Sequence, residues 1–171
     1  MSKNISPLFL TRGAPGTHDT QMLLNCIKKL KNPRFKKTII PKFNKAIDNR
    51  ITKKNWLKVN KKPNVVIFEG WCVGAEPQKK KDVLIPINEL EKYYDKNKIW
   101  RKRVNQELKS NYKKVYKLID KIIFLKVPSF YYVFKWRLLQ EKKLRTSSKG
   151  KKTMSDSQIK KFIMFYERLT K

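Results

Sequence analysis

Glu69 is the acidic residue that the sequence places best for chemistry. It follows a run of four apolar residues at 65–68 and precedes a segment that contains Gly70 and Gly74. A continuous apolar run of this kind is typical of a strand that is buried on both faces of a parallel sheet. Open α/β sheets bind their ligands at the C-terminal ends of such strands. The pattern makes Glu69 a candidate site carboxylate, and it fits equally well a core strand that ends in an incidental acid.

A second group of polar residues lies at 12–19, where the sequence RGAPGTHD is rich in turn formers. Thr17 or Asp19 could cap the helix that follows, because their side-chain oxygens accept hydrogen bonds from unpaired backbone N–H groups. His18 is the only histidine, and the two cysteines are far apart in the chain. This residue content argues against a multi-histidine metal centre, a zinc site or a disulfide framework. It fits a reducing, cytoplasmic setting.

The composition predicts one strongly basic domain that spans residues 1–171. The 171 residues carry 43 basic and 13 acidic side chains, for a formal net charge of +30. Such an excess suggests nucleic acid, polyanionic surfaces or small anionic substrates as partners. Only eight of the basic residues are arginine, and a bias towards lysine, asparagine and isoleucine can also reflect an AT-rich genome. The sequence shows neither a signal-peptide pattern nor a stretch of roughly 18 apolar residues that would predict a membrane span.

Helical and apolar patterns alternate along the chain. One helix is predicted to end near residue 30, others cover 86–94, 98–119 and 129–145, and the last begins at a Ser155–Gln158 capping box. Strands are predicted at 38–43, 64–69 and 121–127. The alternation predicts an α/β fold with a parallel sheet that is flanked by helices. Two strong strands are few for such a sheet, so we expect that its first strand is lacking.

Four segments together carry a family pattern. They are RGAPGTHD at 12–19, PKFNKA at 41–46, FEGWCVG at 68–74, and a C-terminal group at 136–137, 140–141, 144–145 and 154–156. In this order the chain resembles D-glycerate 3-kinases and their kinase-like relatives in the P-loop NTPase superfamily, which are distant cousins of uridine kinase and pantothenate kinase. The resemblance covers nearly the whole chain. It implies a nucleoside-kinase-like fold, ATP and Mg²⁺, and transfer of a phosphoryl group to a hydroxyl of D-glycerate or a similar small acid.

The resemblance also implies a phosphate-binding loop, G-x-x-x-x-G-K-[ST], upstream of 12–19. None of the five glycines in the sequence stands in such a motif. The loop cradles phosphates with its backbone N–H groups, and its lysine and hydroxyl contact the transferred phosphate and Mg²⁺. We therefore expect a partial fold without the N-terminal Walker A strand, loop and helix. A truncated or split kinase, inactive alone, with an upstream-encoded fragment as partner, fits this expectation.

The resemblance assigns roles to residues on the acceptor side and the metal side. It implies that Glu69, at the end of a Walker-B-like strand, orients Mg²⁺ indirectly or assists deprotonation of the acceptor. Asp19 and His18 match the segment that lines the acceptor site, where Asp19 could act as the base as well as cap a helix. Arg12 could clamp a substrate carboxylate with two parallel hydrogen bonds. The alternatives are a strand-end acid paired with a lysine for Glu69 and a solvated loop cation for Arg12.

Other roles concern the phosphates. Lys45 is implied as a phosphate-side cation that helps to bind the substrate. Arg137 and Arg145 flank a lid-like segment at about 145–154, and lid arginines of related kinases fold over the ATP phosphates. A generic surface role for Arg145 is the alternative. Asn44 stands where the family pattern usually has aspartate, which weakens the expectation of full activity.

Three hypotheses about function follow from these observations. The first is an ATP-dependent small-molecule kinase of the D-glycerate 3-kinase type, in a truncated or split form. The second is a kinase-like remnant without catalysis, in which nucleotide binding is lost. The third is a basic nucleic-acid-binding protein, for which the chain has charge and aromatic residues but no recognisable reading motif.

Overall fold

A capped helix begins the regular structure of the chain. The computed structural model of the protein describes residues 4–44, 47–147 and 153–171. After a 3-10 turn at Pro7–Leu10, helix α1 covers Thr20–Lys31. The predicted cap is confirmed for Asp19, whose carboxylate accepts the Met22 N–H at 2.9 Å. Three lysines in the last turn suit the negative end of the helix dipole.

Two small antiparallel ribbons follow α1. Strand β1 (Thr38–Ile40) pairs with β4 (Leu57–Val59), and β2 (Phe43–Asn44) pairs with β3 (Asn49–Arg50). Residues 49–50 and 57–59, in a segment for which the sequence predicts no strand, complete these ribbons. A 3-10 turn precedes β4. Both ribbons stay short because Pro41 interrupts the first strand and cannot donate to a ladder.

The predicted parallel sheet is not formed by the described residues. Both sheets that they contain are two-stranded and antiparallel. The predicted strands at 64–69 and 121–127 lie outside every ladder, and Val65, Ile67 and Ile123 are 74%, 87% and 88% exposed. The physical reason is that a strand buried on both faces needs neighbouring strands, and the described residues supply none. Among the residues that the structure describes, no helix is long and apolar enough to cross a membrane.

Helices dominate the second half of the chain. They are α2 (Lys80–Leu84), a π-helical turn (Leu90–Tyr94), α3 (Ile99–Glu107), a second π-helical turn (Leu108–Tyr112), α4 (Lys113–Tyr116), α5 (Phe130–Ser147) and α6 (Asp156–Thr170). The long helix predicted at 98–119 is thus confirmed as a continuous run over 99–116. The Ser155–Gln158 capping box is also confirmed, with both of its hydrogen bonds present.

A buried ion pair fastens α6 to the middle of the chain. The Arg168 guanidinium donates to both carboxylate oxygens of Glu91, at 2.6 and 2.5 Å, and Glu91 is completely buried. The remaining N–H groups of Arg168 donate to the Gln78 side chain and to the carbonyls of Asp82 and Ile85. A buried charge is tolerated only when it is paired and hydrogen-bonded in this way. The pair therefore fixes where α6 lies.

Replacing Arg168 by methionine should lower the free energy of unfolding by about 3–5 kcal/mol, because Glu91 would stay buried without its partner. Urea denaturation measures the change. Lys161→Met, at an exposed position of the same helix, should change it by no more than about 0.5 kcal/mol. The double variant Glu91→Leu/Arg168→Met should recover part of the loss, and a double variant as unstable as Arg168→Met would contradict the ion-pair explanation.

Candidate active site

Arg12 and Asp19 connect the first predicted motif segment to the β2–β3 ribbon. The Arg12 guanidinium lies 4.0 Å above the centre of the Phe43 ring and forms an ion pair with Asp48 at 2.7 Å. Asp19 pairs with Arg50 at 3.0 Å. All four charged side chains are substantially exposed, so these pairs add little to stability. They do bring the segments 12–19 and 41–50 together.

Tyr166 on α6 joins the same segment to two others. Its hydroxyl donates to the Arg12 carbonyl at 3.0 Å, and its ring meets the Trp71 ring edge-on, with centroids 5.0 Å apart. The Trp71 indole N–H donates to the Gly13 carbonyl at 2.9 Å. Burial raises the pKa of Tyr166, against the opposing effect of Arg137 and Arg12, so the hydroxyl keeps the proton that it donates.

Gly13 makes this close packing sterically feasible. Its φ of +126° is one that residues with a side chain rarely adopt, and a Cβ atom there would lie 2.8 Å from the Tyr166 hydroxyl oxygen. Thr17 also supports the loop, because its hydroxyl accepts the Gly13 N–H and donates to the Ala14 carbonyl. The glycine in the first motif thus has a packing reason.

Asp19 is both a helix cap and an ionised carboxylate. The hydrogen bond from the Met22 N–H holds the pKa of Asp19 below its ordinary value, and the Arg50 guanidinium adds to this effect against the opposing influence of partial burial. Beside Asp19 lies a cavity of about 410 Å³ between α1 and the ribbons. Its lining includes Lys29, Lys53 and Trp56. A carboxylate and two cations therefore border a space large enough for a small acid.

Glu69 is exposed and has no hydrogen bond or ion pair within the described parts of the chain. It lies two residues before Trp71, so the chain itself links it to the Gly13–Tyr166 contacts. Among the described residues, no group of three or more His, Cys, Asp or Glu side chains could hold a metal ion.

The two predicted lid arginines are engaged by neighbouring groups. Arg137 pairs with Glu141 at 3.2 Å, and its guanidinium lies 5.3 Å from the centre of the Phe162 ring. Arg145 hydrogen-bonds the Met154 carbonyl and lies 3.4 Å from the Asp156 carboxylate. A phosphate would have to compete with these acids. Residues 148–152 of the predicted lid, like Lys45, lie outside the described residues.

His18 makes a contact that the sequence analysis did not identify. Its Nδ1 hydrogen-bonds the hydroxyl of Tyr112, which is 4% exposed. One turn later, Tyr116 donates to the Cys72 carbonyl at 2.5 Å. The signal available in the sequence was a pair of hydroxyl-bearing aromatics, Tyr112 and Tyr116, spaced four residues apart on one face of the predicted helix.

Asp19→Ala should lower the free energy of unfolding by about 1 kcal/mol through loss of the cap, whereas Asp19→Asn keeps a good capping residue. The two variants separate the cap from the charge. Because the folded pKa of Asp19 lies below its ordinary value of 3.8, the stabilisation due to its charge is present above that value and is lost as the pH falls through the folded pKa. The difference between wild type and Asp19→Asn should therefore vanish in acid. Urea denaturation across this range measures it, and a difference that grows in acid would contradict the assignment.

Comparisons with known proteins identify relatives of this chain. "Uncharacterized kinase mug58" of Schizosaccharomyces pombe is 30% identical over 167 residues, which cover 94% of this chain and 58% of the relative. "D-glycerate 3-kinase, chloroplastic" of Arabidopsis thaliana is 28% identical over 162 residues, which cover 91% of this chain and 32% of the relative. The chain thus spans less than two thirds of the length of either relative. No protein-family model matches the sequence.

Solved structures agree with the sequence comparison. D-glycerate 3-kinase from Cryptococcus neoformans var. grubii matches 97% of this chain with a TM-score of 0.74 and 27% identity, over 60% of its own length. The YGR205w protein matches with a TM-score of 0.70 at 24% identity, over 55% of its length, which supports the fold alone. The fold is therefore that of a glycerate kinase structure. The predicted resemblance is confirmed: over nearly its whole length, this chain is similar to D-glycerate 3-kinases and to a fission-yeast protein named as a kinase.

Proposed function

We propose that these residues form the acceptor side and the metal side of an ATP-dependent small-molecule kinase of the D-glycerate 3-kinase type. The observation that carries the proposal is the meeting of three motif segments, at 12–19, 41–46 and 68–74, with Tyr166 of α6. The Arg12 guanidinium lies over the Phe43 ring, the Trp71 indole N–H donates to the Gly13 carbonyl, and the Tyr166 hydroxyl donates to the Arg12 carbonyl. The similarity to named D-glycerate 3-kinases supports the same proposal.

The acceptor would bind beside Asp19. We assign the cavity there to a small acid, with the nearby lysines attracting its carboxylate. Arg12 would release Asp48 and clamp that carboxylate instead. The Arg12–Asp48 ion pair is exposed, so breaking it costs little free energy. His18 and Lys45 complete the assignment on the acceptor side. Asp19 would accept the proton of the acceptor hydroxyl. The oxygen of that hydroxyl would bond to the γ-phosphorus of ATP, while the bond from this phosphorus to the leaving ADP oxygen breaks.

Glu69 fits an indirect role towards Mg²⁺. Mg²⁺ usually keeps several waters and binds one or two carboxylates together with substrate phosphates. Glu69 is exposed and has no hydrogen-bond or ion-pair partner among the described residues, so its carboxylate is free to bind such an ion together with water. When bound, Mg²⁺ would neutralise charge on the transferring phosphoryl group. Arg137 and Arg145 are proposed to contact the phosphates after leaving their acidic partners.

The G-x-x-x-x-G-K-[ST] loop that the resemblance implies for phosphate binding does not occur in the 171-residue sequence. We propose that a segment encoded upstream carries this loop and the strand before it. The exposed apolar residues at 64–69 and 121–127 support this proposal, since both segments have the character of core strands and lack ladder partners. An added strand would satisfy their backbone groups and cover their side chains.

The direct test is ADP formation from Mg-ATP with D-glycerate, using the chain alone and the chain together with an upstream-encoded polypeptide that carries the loop. We expect turnover only in the second case. Glu69→Gln and Asp19→Asn should each lower kcat by about 10²-fold or more, whereas Lys161→Ala should leave it unchanged. Absence of turnover in both cases would remove the catalytic proposal.

A kinase-like remnant is the second candidate. Asn44 in place of the expected aspartate and the acid-paired lid arginines favour it. In that case millimolar ATP with Mg²⁺ should leave the Tm unchanged, because only a ligand that binds the native state stabilises it. A Mg²⁺-dependent rise in Tm would exclude the remnant. Dependence of that rise on the upstream polypeptide would identify the source of the phosphate loop.

We also propose that the protein works in the cytoplasm. Cys26 and Cys72 are both free thiols, which fits a reducing compartment. Since one relative is named as chloroplastic, subcellular fractionation of the native protein is the appropriate check.

A further inference from the structure

Tyr112 and His18 form a hydrogen bond between two distant parts of the chain. Tyr112 ends the π-helical turn at Leu108–Tyr112 and is almost fully buried, whereas His18 lies in the loop before α1 and is only partly enclosed. The tyrosine hydroxyl meets the imidazole Nδ1, and the two rings are arranged edge to face with centroids 6.1 Å apart. The imidazole Nε2 makes no hydrogen bond to any of the described residues. The buried partner thus fixes one nitrogen and leaves the other facing outward from the contact.

The direction of this hydrogen bond follows from the burial of Tyr112. Burial raises the pKa of Tyr112, so its hydroxyl keeps the proton at neutral pH. A buried hydroxyl proton requires an acceptor, because an unpaired polar group in the interior is costly. Among the described residues, the imidazole Nδ1 of His18 is the acceptor in contact with this hydroxyl. The hydroxyl therefore donates to Nδ1, which is then unprotonated.

The charged groups around His18 also favour the neutral imidazole. Burial lowers the pKa of His18, and the Arg12 guanidinium lowers it further. Asp19 is adjacent in the chain, but its carboxylate is paired with Arg50. On the helix side, Cys72 and Tyr116 have pKa values raised by burial and are neutral. The nearest acid of that helix, Glu107, pairs with Arg103 at 2.6 Å.

We propose that Tyr112 is a positioning residue that holds His18 as the neutral Nε2–H tautomer, so that His18 offers the acceptor substrate a hydrogen-bond donor and not a base. The role towards the substrate rests on the proposed kinase function. An Nε2–H group can bind a carboxylate or hydroxyl oxygen of a small acid, and the other nitrogen is already occupied. The proton released by the acceptor hydroxyl would then go to a carboxylate, and Asp19 is the proposed base.

Nitrogen-15 NMR of the full chain tests the tautomer, and the single histidine gives one unambiguous pair of imidazole nitrogens. At neutral pH we expect a protonated Nε2 and an unprotonated Nδ1. Tyr112→Phe keeps the burial and removes the hydroxyl, so it should mix the two tautomers and raise the pKa of His18 towards its ordinary value of 6.5. Tyr116→Phe is the matched control. Its hydroxyl bonds Cys72 and not His18, so the His18 spectrum should stay unchanged.

Two results would overturn the inference: a protonated Nδ1 in the wild type, or a Tyr112→Phe spectrum identical to that of the wild type. If Tyr112→Phe fails to fold, the wild-type spectrum still decides the tautomer. In the chain assayed together with the upstream-encoded polypeptide, Tyr112→Phe should raise KM for the acid about tenfold and change kcat less. Tyr116→Phe should have a KM close to that of the wild type. The NMR result does not require turnover, so loss of the kinase proposal and loss of the tautomer assignment are distinguishable.

Discussion

The buried pair of Arg168 and Glu91 is the interaction on which the arrangement of the site depends. A guanidinium and a carboxylate without solvent contact require near-complete hydrogen bonding, so the pair accepts very little displacement. Tyr166 lies two residues earlier on the same helix, and it carries the contacts to Arg12, Gly13 and Trp71. The position of the loop at 12–19 is thereby tied to an ion pair deep in the molecule. A polar contact in the core thus positions this loop, as a central sheet positions the loops of larger α/β proteins.

Local features were predictable because few neighbours decide them. The Asp19 cap, the Ser155–Gln158 capping box and the long helix all follow from residues within one or two turns, and the structure confirms them. The parallel sheet that the sequence pattern predicts is not formed, because strand pairing depends on neighbouring strands that the described residues do not contain. The Arg12–Asp48 and Tyr166–Arg12 contacts span 36 and 154 positions. No spacing rule connects residues so far apart, so no sequence pattern indicated the contacts of Tyr166, Arg50 and Tyr112.

The charge excess is divided unevenly between the two basic residue types. Seven of the eight arginines form ion pairs with Asp or Glu. Lysine takes part in only two of the ion pairs found among the described residues. The planar, multi-donor guanidinium suits fixed pairs, whereas the ammonium group is strongly hydrated and suits the surface. The acids therefore organise the fold through arginine, and the net charge of +30 resides chiefly on solvated lysines.

The exposed apolar segments at 64–69 and 121–127 also affect the tendency of this chain to self-associate in solution. Uncovered, strand-like stretches are templates for pairing with other copies, and such pairing leads to aggregation. A net charge of +30 opposes it, because every copy repels every other. That repulsion reaches only about 8 Å at physiological ionic strength and shortens to about 3 Å at 1 M salt. The lysines that dominate the surface therefore act as a salt-sensitive dispersant for the two uncovered segments.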